Sequence, residues 1–268
     1  MFTWRLLWLL SFVLSVSYVG WSQVTPLPNA HAHNDYWHER PLLDALDHGF
    51  TSVEADVLLI NGELYVGHDL PEGSHSLPTL EEAYLKPLEQ RVTQQNGGVY
   101  SKYDGDFYLM LDFKTEAELT YNRLKEVILP YQDMLSFSED GTFHSGAVTI
   151  FVSGNRPIEQ VQQERLQLVG IDGRPDDLAQ SYSADFMPVI SQHYRAIIDW
   201  DGEEPLSRKQ LKKLKTLTRT AHQEGKKVRL WATPENTLVW KTLLEADVDF
   251  INTDKLAELQ EFLTQYDR

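Results

Sequence analysis

The stretch FYLMLDFKTEAELTYNRLKEVILP, Phe107 to Pro130, places a strand and a helix back to back. Phe107 to Phe113 is an apolar run of strand length, the pattern of a strand buried on both faces. Glu116 to Leu129 follows with helical periodicity, and Pro130 stops it because proline cannot continue a helix. A strand that feeds straight into a helix is the repeating unit of parallel α/β folds. The same alternation recurs on both sides. Upstream lie a strand around Ala30 to His33, a helix from Pro41 to His48, a strand from Phe50 to Ile60 and a helix from Thr79 to Gln95. Asn61-Gly62 turns the second strand back into an arm from Glu63 to Gly67, since Asn-Gly takes the left-handed conformations of a tight hairpin. Pro87 is expected to kink or split the Thr79 helix. Downstream, strands are expected at Ala147 to Val152, Leu166 to Ile171, Met187 to Ser191, Ala196 to Ile198, Val228 to Ala232 and Asp249 to Asn252. Helices are expected at Ile158 to Glu164, Leu206 to Glu224, Glu235 to Glu245 and Lys255 to Tyr266. About eight strand–helix pairs in a chain of this length predict a single (β/α)8 TIM-type barrel.

The chain has 268 residues, 40 Asp and Glu against 24 Lys and Arg, a net charge of −16 and no cysteine. That charge disfavours a nucleic-acid partner, which needs a basic footprint, and steady adsorption on an anionic membrane face. The lack of cysteine excludes disulfides, thiolate metal sites and a cysteine nucleophile. No glycine-rich nucleotide loop is present. Met1 to Arg5, the apolar Leu6 to Val19 and the small residues near Ser22 have the layout of a secretory signal peptide. Residues 1–22 are therefore expected to be a signal peptide and 23–268 one catalytic domain, exported, secreted or periplasmic. An uncleaved anchor is the other reading of the same stretch. After cleavage no membrane span is expected. Arg208, Lys209, Lys212, Lys213 and Lys215 read as a solvated helix face. Oligomeric state leaves no mark on the pattern.

Polar residues gather at the expected strand ends, where a barrel keeps its active site. They are His31-Ala-His33-Asn34 after the first strand, Glu54-Ala-Asp56 on the second, His68-Asp69 after the hairpin and Asp112-Phe-Lys114. Residues two apart on a strand share a face, so Glu54 projects with Asp56 and Asp112 with Lys114. Such charges in an apolar strand are costly unless paired or bound to a metal. The carboxylates of Glu54, Asp56 and Asp112 with the Asn34 amide oxygen form a hard donor set suited to Mg²⁺ or Ca²⁺. Two histidines beside such an ion provide a base for an attacking hydroxyl and an acid for a leaving oxygen. Lys114 would add charge stabilisation, and Asp69 would orient the His68 ring.

The ordered set His33-Asn34, Glu54-x-Asp56, His68-Asp69 and Asp112-x-Lys114 resembles the phospholipase C-like phosphodiesterase superfamily. HAHNDY (31–36), EADVL (54–58), GHD (67–69), GNRP (154–157), LWATP (230–234) and INTD (251–254) resemble more closely its altered-inheritance-of-mitochondria protein 6 group. The resemblance spans Pro28 to Leu263. It implies catalytic His33 and His68 and a divalent metal on Glu54, Asp56 and Asp112. It also implies Asn34 in the metal shell and Trp231 as a pocket wall. A small-molecule or lipid phosphodiester is the implied substrate. The His-Arg-Gly opening of the glycerophosphodiesterases is absent, which leaves phosphate binding to Arg156 or Arg40.

Competing readings attach to several residues. His31 is a neighbour of the catalyst or a phosphate contact. Lys114 pairs with Asp112, Trp231 packs in the core, and Asp254 caps the last helix. An amidohydrolase also uses His-x-His after the first barrel strand, with His193 as its nearest further histidine. A catalytically silent exported binding protein on the same fold is the other rival.

Overall fold

The structure, a computed structural model, describes residues 24–70 and 77–266. The signal-peptide expectation falls outside these residues. The strands in chain order are β1 (Leu27–Ala32), β2 (Phe50–Ile60), β3 (Glu63–Val66), β4 (Phe107–Phe113), β5 (Phe137–Glu139), β6 (Thr142–His144) and β7 (Val148–Gly154). They continue with β8 (Leu166–Gln167), β9 (Gly170–Gly173), β10 (Val189–His193), β11 (Lys227–Trp231) and β12 (Phe250–Thr253). The helices are α1 (Leu43–Asp47), α2 (Lys86–Gln94), α3 (Ala117–Ile128), α4 (Ile158–Gln163), α5 (Tyr194–Ile197), α6 (Arg208–Gln223), α7 (Thr237–Glu245) and α8 (Leu256–Gln265).

Eight parallel strands close a barrel in the order β1-β2-β4-β7-β9-β10-β11-β12, because β1 pairs with both β2 and β12. β3 folds back antiparallel on the extended end of β2. Asn61 and Gly62 both take positive φ at that turn, as a two-residue hairpin demands. Two apolar cores result. The larger lies between the strands' outer faces and the helices, where Val53, Ala55, Leu109 and Leu111 meet Leu46, Leu85 and Leu124. The smaller fills the barrel floor with Tyr108, Met110, Phe151, Val189 and Phe250. Above that floor the inward positions turn polar, and this end holds the site.

Two local expectations are corrected and a third is met. Leu166 to Ile171 is two strands: β8 joins a small antiparallel sheet with β5 and β6, and only β9 enters the barrel. Ala196 to Ile198 is the end of the short helix α5, whose first turn is capped by the His193 ring accepting from Arg195 N–H. The Thr79 helix is split, as Pro87 led one to expect. A π-helical turn at Glu81–Leu85 precedes α2, with Pro87 in the first turn of α2. Proline lacks the N–H that a continuous helix needs at that position.

Candidate active site

The barrel register sets the first part of the site. Asp56 on β2 lies opposite Asp112 on β4, and Glu54 opposite Met110 one layer below. One oxygen from each of Glu54, Asp56 and Asp112 lies within 4.8 Å of the others. Asp56 is fully buried; its Oδ2 accepts from Tyr36 O–H at 2.7 Å and from Lys114 Nζ at 3.1 Å. Its Oδ1 is buried without a hydrogen-bond partner. Lys114 also reaches Asp112 at 3.3 Å. Burial pushes the Asp112 carboxyl up to about 6; Glu54 and Asp56 add to this and Lys114 opposes it. Burial also raises Asp56. Glu54 is different. Burial would raise it, but Arg229 and His31 outweigh burial and hold it down at about 2.

Gly154 completes the cluster. Its φ is +66°, and a Cβ there would stand 2.0 Å from Asp112 Oδ1 and 2.5 Å from the Phe113 carbonyl oxygen. Any larger residue would displace the carboxylate. The donor set fits a divalent cation on three counts: hard oxygen ligands, an unpartnered buried oxygen on Asp56, and carboxylates that oppose one another's ionisation.

The second part of the site hangs on loops after the strands. Asn34 follows β1 in the left-handed conformation, φ 45° and ψ 44°, which asparagine tolerates better than most residues. Its Oδ1 accepts from Tyr36 O–H at 3.2 Å. His33 Nδ1 donates to Asp254 Oδ1 at 2.7 Å, a contact between residues 221 apart in the chain. The donor assignment follows from the acceptor-only carboxylate. Burial lowers the His33 pKa, but Asp254 and Glu54 more than offset this and raise it above the usual imidazole value. His68 stands after β3, 3.1 Å from Asp69 Oδ2 and largely exposed.

A pocket of about 670 Å³ opens over these groups. His33, Asn34, Glu54, His68, Asp69 and Asp112 line it, as do Lys114 and Trp231. Trp231 therefore stands in the pocket wall, edge-on to His193 at 4.5 Å between centroids. Three candidate phosphate contacts lie elsewhere. His31 is wholly buried between Ser52 Oγ, 2.7 Å from Nδ1, and Glu54 Oε2, 3.3 Å from Nε2. Burial and Arg229 lower its pKa to about 4, so it is a neutral strut beneath Glu54. Arg156 binds the Asp172 carbonyl and Asp177, and Arg40 binds Asp44 and Asp47 on the surface. The guanidinium groups that line the pocket belong to Arg174 and Arg229. Arg229, on β11, binds Glu54 and donates to Asn252 Oδ1 at 2.9 Å. Arg174 is fixed by the buried Asp172 at 2.7 Å. The visible signal for Arg229 was an arginine two residues before Trp231 in an apolar strand, hence on the same face. Asp254, expected to cap α8, leaves that helix without a side-chain cap and holds His33 instead.

A parallel eight-stranded barrel with acidic residues and a histidine pair at its mouth matches the arrangement expected of the phospholipase C-like phosphodiesterase superfamily. The family model described as the AIM6-like phosphodiesterase domain matches residues 21–168, and the chain belongs to that family. It is 29% identical over 261 residues to the altered inheritance of mitochondria protein 6 homolog of Arthroderma benhamiae, covering 86% of this chain and 82% of that one. It is 28% identical over 277 residues to altered inheritance of mitochondria protein 6 of Eremothecium gossypii, covering 89% and 70%. In fold it is similar to a glycerophosphodiester phosphodiesterase from Parabacteroides distasonis, with a TM-score of 0.54 and 17% identity over 89% of this chain and 98% of the other.

Proposed function

We propose that the protein is an exported, divalent-metal-dependent phosphoric diester hydrolase acting on a glycerophosphodiester or phospholipid-type substrate. The observation that carries this is a pocket lined by Glu54, Asp112, His33 and His68, with the buried Asp56 offering an oxygen within 4.8 Å of those of Glu54 and Asp112. Mg²⁺ or Ca²⁺ held by these carboxylates and Asn34 would supply Lewis-acid stabilisation of the phosphoryl oxygens. Lys114 and Arg229 bring further positive charge to the same oxygens. His33 and His68 exchange acid and base roles. One takes the proton of the attacking hydroxyl as it bonds to phosphorus; the other gives a proton to the departing oxygen as its P–O bond breaks. Asp254 favours His33 as the group that starts protonated, and Asp69 orients His68. Trp231 and Trp37 wall the pocket against the organic part of the substrate. Residues 1–22 act as the leader and 23–268 form one catalytic domain, which N-terminal sequencing of the exported protein checks.

The amidohydrolase reading loses its footing at His31, which faces Ser52 and Glu54 rather than an open site. The test of the proposal is hydrolysis of a chromogenic phosphodiester with Mg²⁺, with Ca²⁺ and with a chelator. Turnover should vanish with chelator and fall about 10²–10⁴-fold in His33→Ala or His68→Ala. Chelator-resistant turnover by folded protein would remove the metal from the account, and unchanged rates in both variants would remove the histidines.

A further inference from the structure

The basic helix α6 has no part in the pocket, yet its charge is unusual for this chain. Between Pro205 and Gln223 there is no acidic residue, in a protein that carries 40. Arg208, Lys209, Lys212, Lys213, Lys215 and Arg219 are all exposed. Among the described residues none of these six forms an ion pair, whereas most other lysines and arginines do, including Arg40, Lys114, Arg123, Lys125 and Arg165. Arg208, Lys212, Lys215 and Arg219 follow the i, i+4, i+7, i+11 spacing that places residues on one helix face. They line a single shallow groove of about 340 Å³ with Leu211 and Thr216. The stripe is about 16 Å long. The opposite face, Leu214, Leu217, Thr218 and Ala221, is buried on the barrel. Asp247 is the only acid lining the adjoining groove beside Lys215 and Arg219.

We propose that this stripe is a docking surface for an anionic phospholipid bilayer, which takes the barrel side-on. One observation favours a bilayer over a protein partner. No exposed large apolar side chain stands on α6; those of the described residues are elsewhere, at Trp37, Leu43, Leu70, Leu119, Leu129, Phe143 and Trp231. Protein interfaces rest on a buried apolar or aromatic centre, whereas a charge-only stripe suits mobile lipid headgroups. Exposed Asp201, Glu203 and Glu204 precede α6 and Glu224 follows it, at the ends of the stripe rather than along it, and charge beyond a screening length of about 8 Å counts for little. α6 follows β10 and so runs from the pocket end of the barrel toward its floor. Docking along it leaves the pocket mouth unobstructed. The inference stands apart from the catalytic reading, since none of these cations lines the pocket.

The test is cosedimentation of the full chain with phosphatidylcholine vesicles, with and without phosphatidylserine, across a salt series. The wild type should partition onto the phosphatidylserine vesicles and come off in about 1 M salt, where screening shortens to about 3 Å. Each cation near such a surface adds about fivefold. The Arg208→Gln/Lys212→Gln/Lys215→Gln/Arg219→Gln protein should therefore lose at least about a hundredfold of that partition. Melting temperature checks its folding, and Arg208→Lys/Arg219→Lys should retain binding. Equal partition onto neutral vesicles, salt-independent binding or absence of binding by the wild type overturns the proposal without any variant. Wild-type partition by the folded four-Gln protein does the same. A concentration-dependent dimer that the four-Gln protein loses, without lipid binding, gives the surface to a second copy instead.

Discussion

At the residue scale, the site depends on side chains whose local sequence says little about their partners. Asp254 looks like a helix cap, and only the closure of β1 against β12 brings it to His33. Asp254→Asn should lower the His33 pKa, because the raising hydrogen bond and charge are lost. The limb of the pH–rate profile that needs protonated His33 should then move to lower pH, with kcat reduced and the melting temperature little changed. An unmoved limb would assign it to another group. Gly154→Ala should displace Asp112 and force an alanine into positive φ. That costs about 1–2 kcal/mol of stability, and the cation-induced rise in melting temperature should disappear.

Asp35 is a second case. It is fully buried, and its Oδ2 accepts from Tyr84 O–H at 2.8 Å and from Leu42 N–H at 2.5 Å. That bond pins Leu42 at φ 63° and ψ −50°, a tight turn closed by Leu43 N–H on the Pro41 carbonyl at 2.7 Å. Burial pushes the Asp35 pKa from 3.8 to about 6. The folded state then holds the proton longer than the unfolded chain, so this group's contribution is full below the unfolded pKa and is lost as pH rises from 3.8 to about 6. In metal-free protein, Asp35→Asn should show a shallower fall in stability across that window by denaturant titration. An identical slope would contradict the assignment. Asp112 adds a slope of the same sign, and Glu54 acts oppositely below 4.5, where its protonation costs stability as pH falls.

At the element scale, legibility followed burial. β4 and β7 are buried on both faces and read directly as apolar runs. β2 was equally plain, and its inward Glu54 and Asp56 stood out because every neighbour was apolar. β9 was not separable from β8: Gly170–Gly173 is short, carries two glycines and has one inward side chain, Asp172. The hairpin of β5 and β6 is exposed over most of its length and left no apolar signature. α5, four residues long, is too short to show helical periodicity, and its β-branched end reads as a strand. β11 carries the least expected burden. Arg229 reaches Glu54 across 175 positions of sequence, a pairing that no local pattern encodes. Arg229→Leu should leave Glu54 buried without its cation and destabilise the fold by about 3–5 kcal/mol. Glu54→Gln/Arg229→Leu should recover much of this, as thermal unfolding of the single and double variants will show.

At the scale of the whole molecule, the barrel divides its interior by polarity. Aromatic and aliphatic groups fill the floor, while carboxylates and cations occupy the mouth, where strands from both halves of the chain converge. No helix among the described residues is long and apolar enough to cross a membrane. The carboxylate cluster should make the fold respond to divalent cations: Mg²⁺ or Ca²⁺ should raise the melting temperature in proportion to the logarithm of cation concentration above its dissociation constant, and Asp56→Asn should abolish the rise. The central claim is that this mouth breaks a phosphodiester with metal and two histidines. The measurement that tests it most directly is ³¹P NMR of a phosphodiester panel incubated with the mature protein, with cation and with chelator. The account predicts a new monoester or cyclic phosphate resonance that requires cation and is absent with His33→Ala. An unchanged spectrum across the panel, from folded protein whose melting temperature responds to the cation, would contradict it.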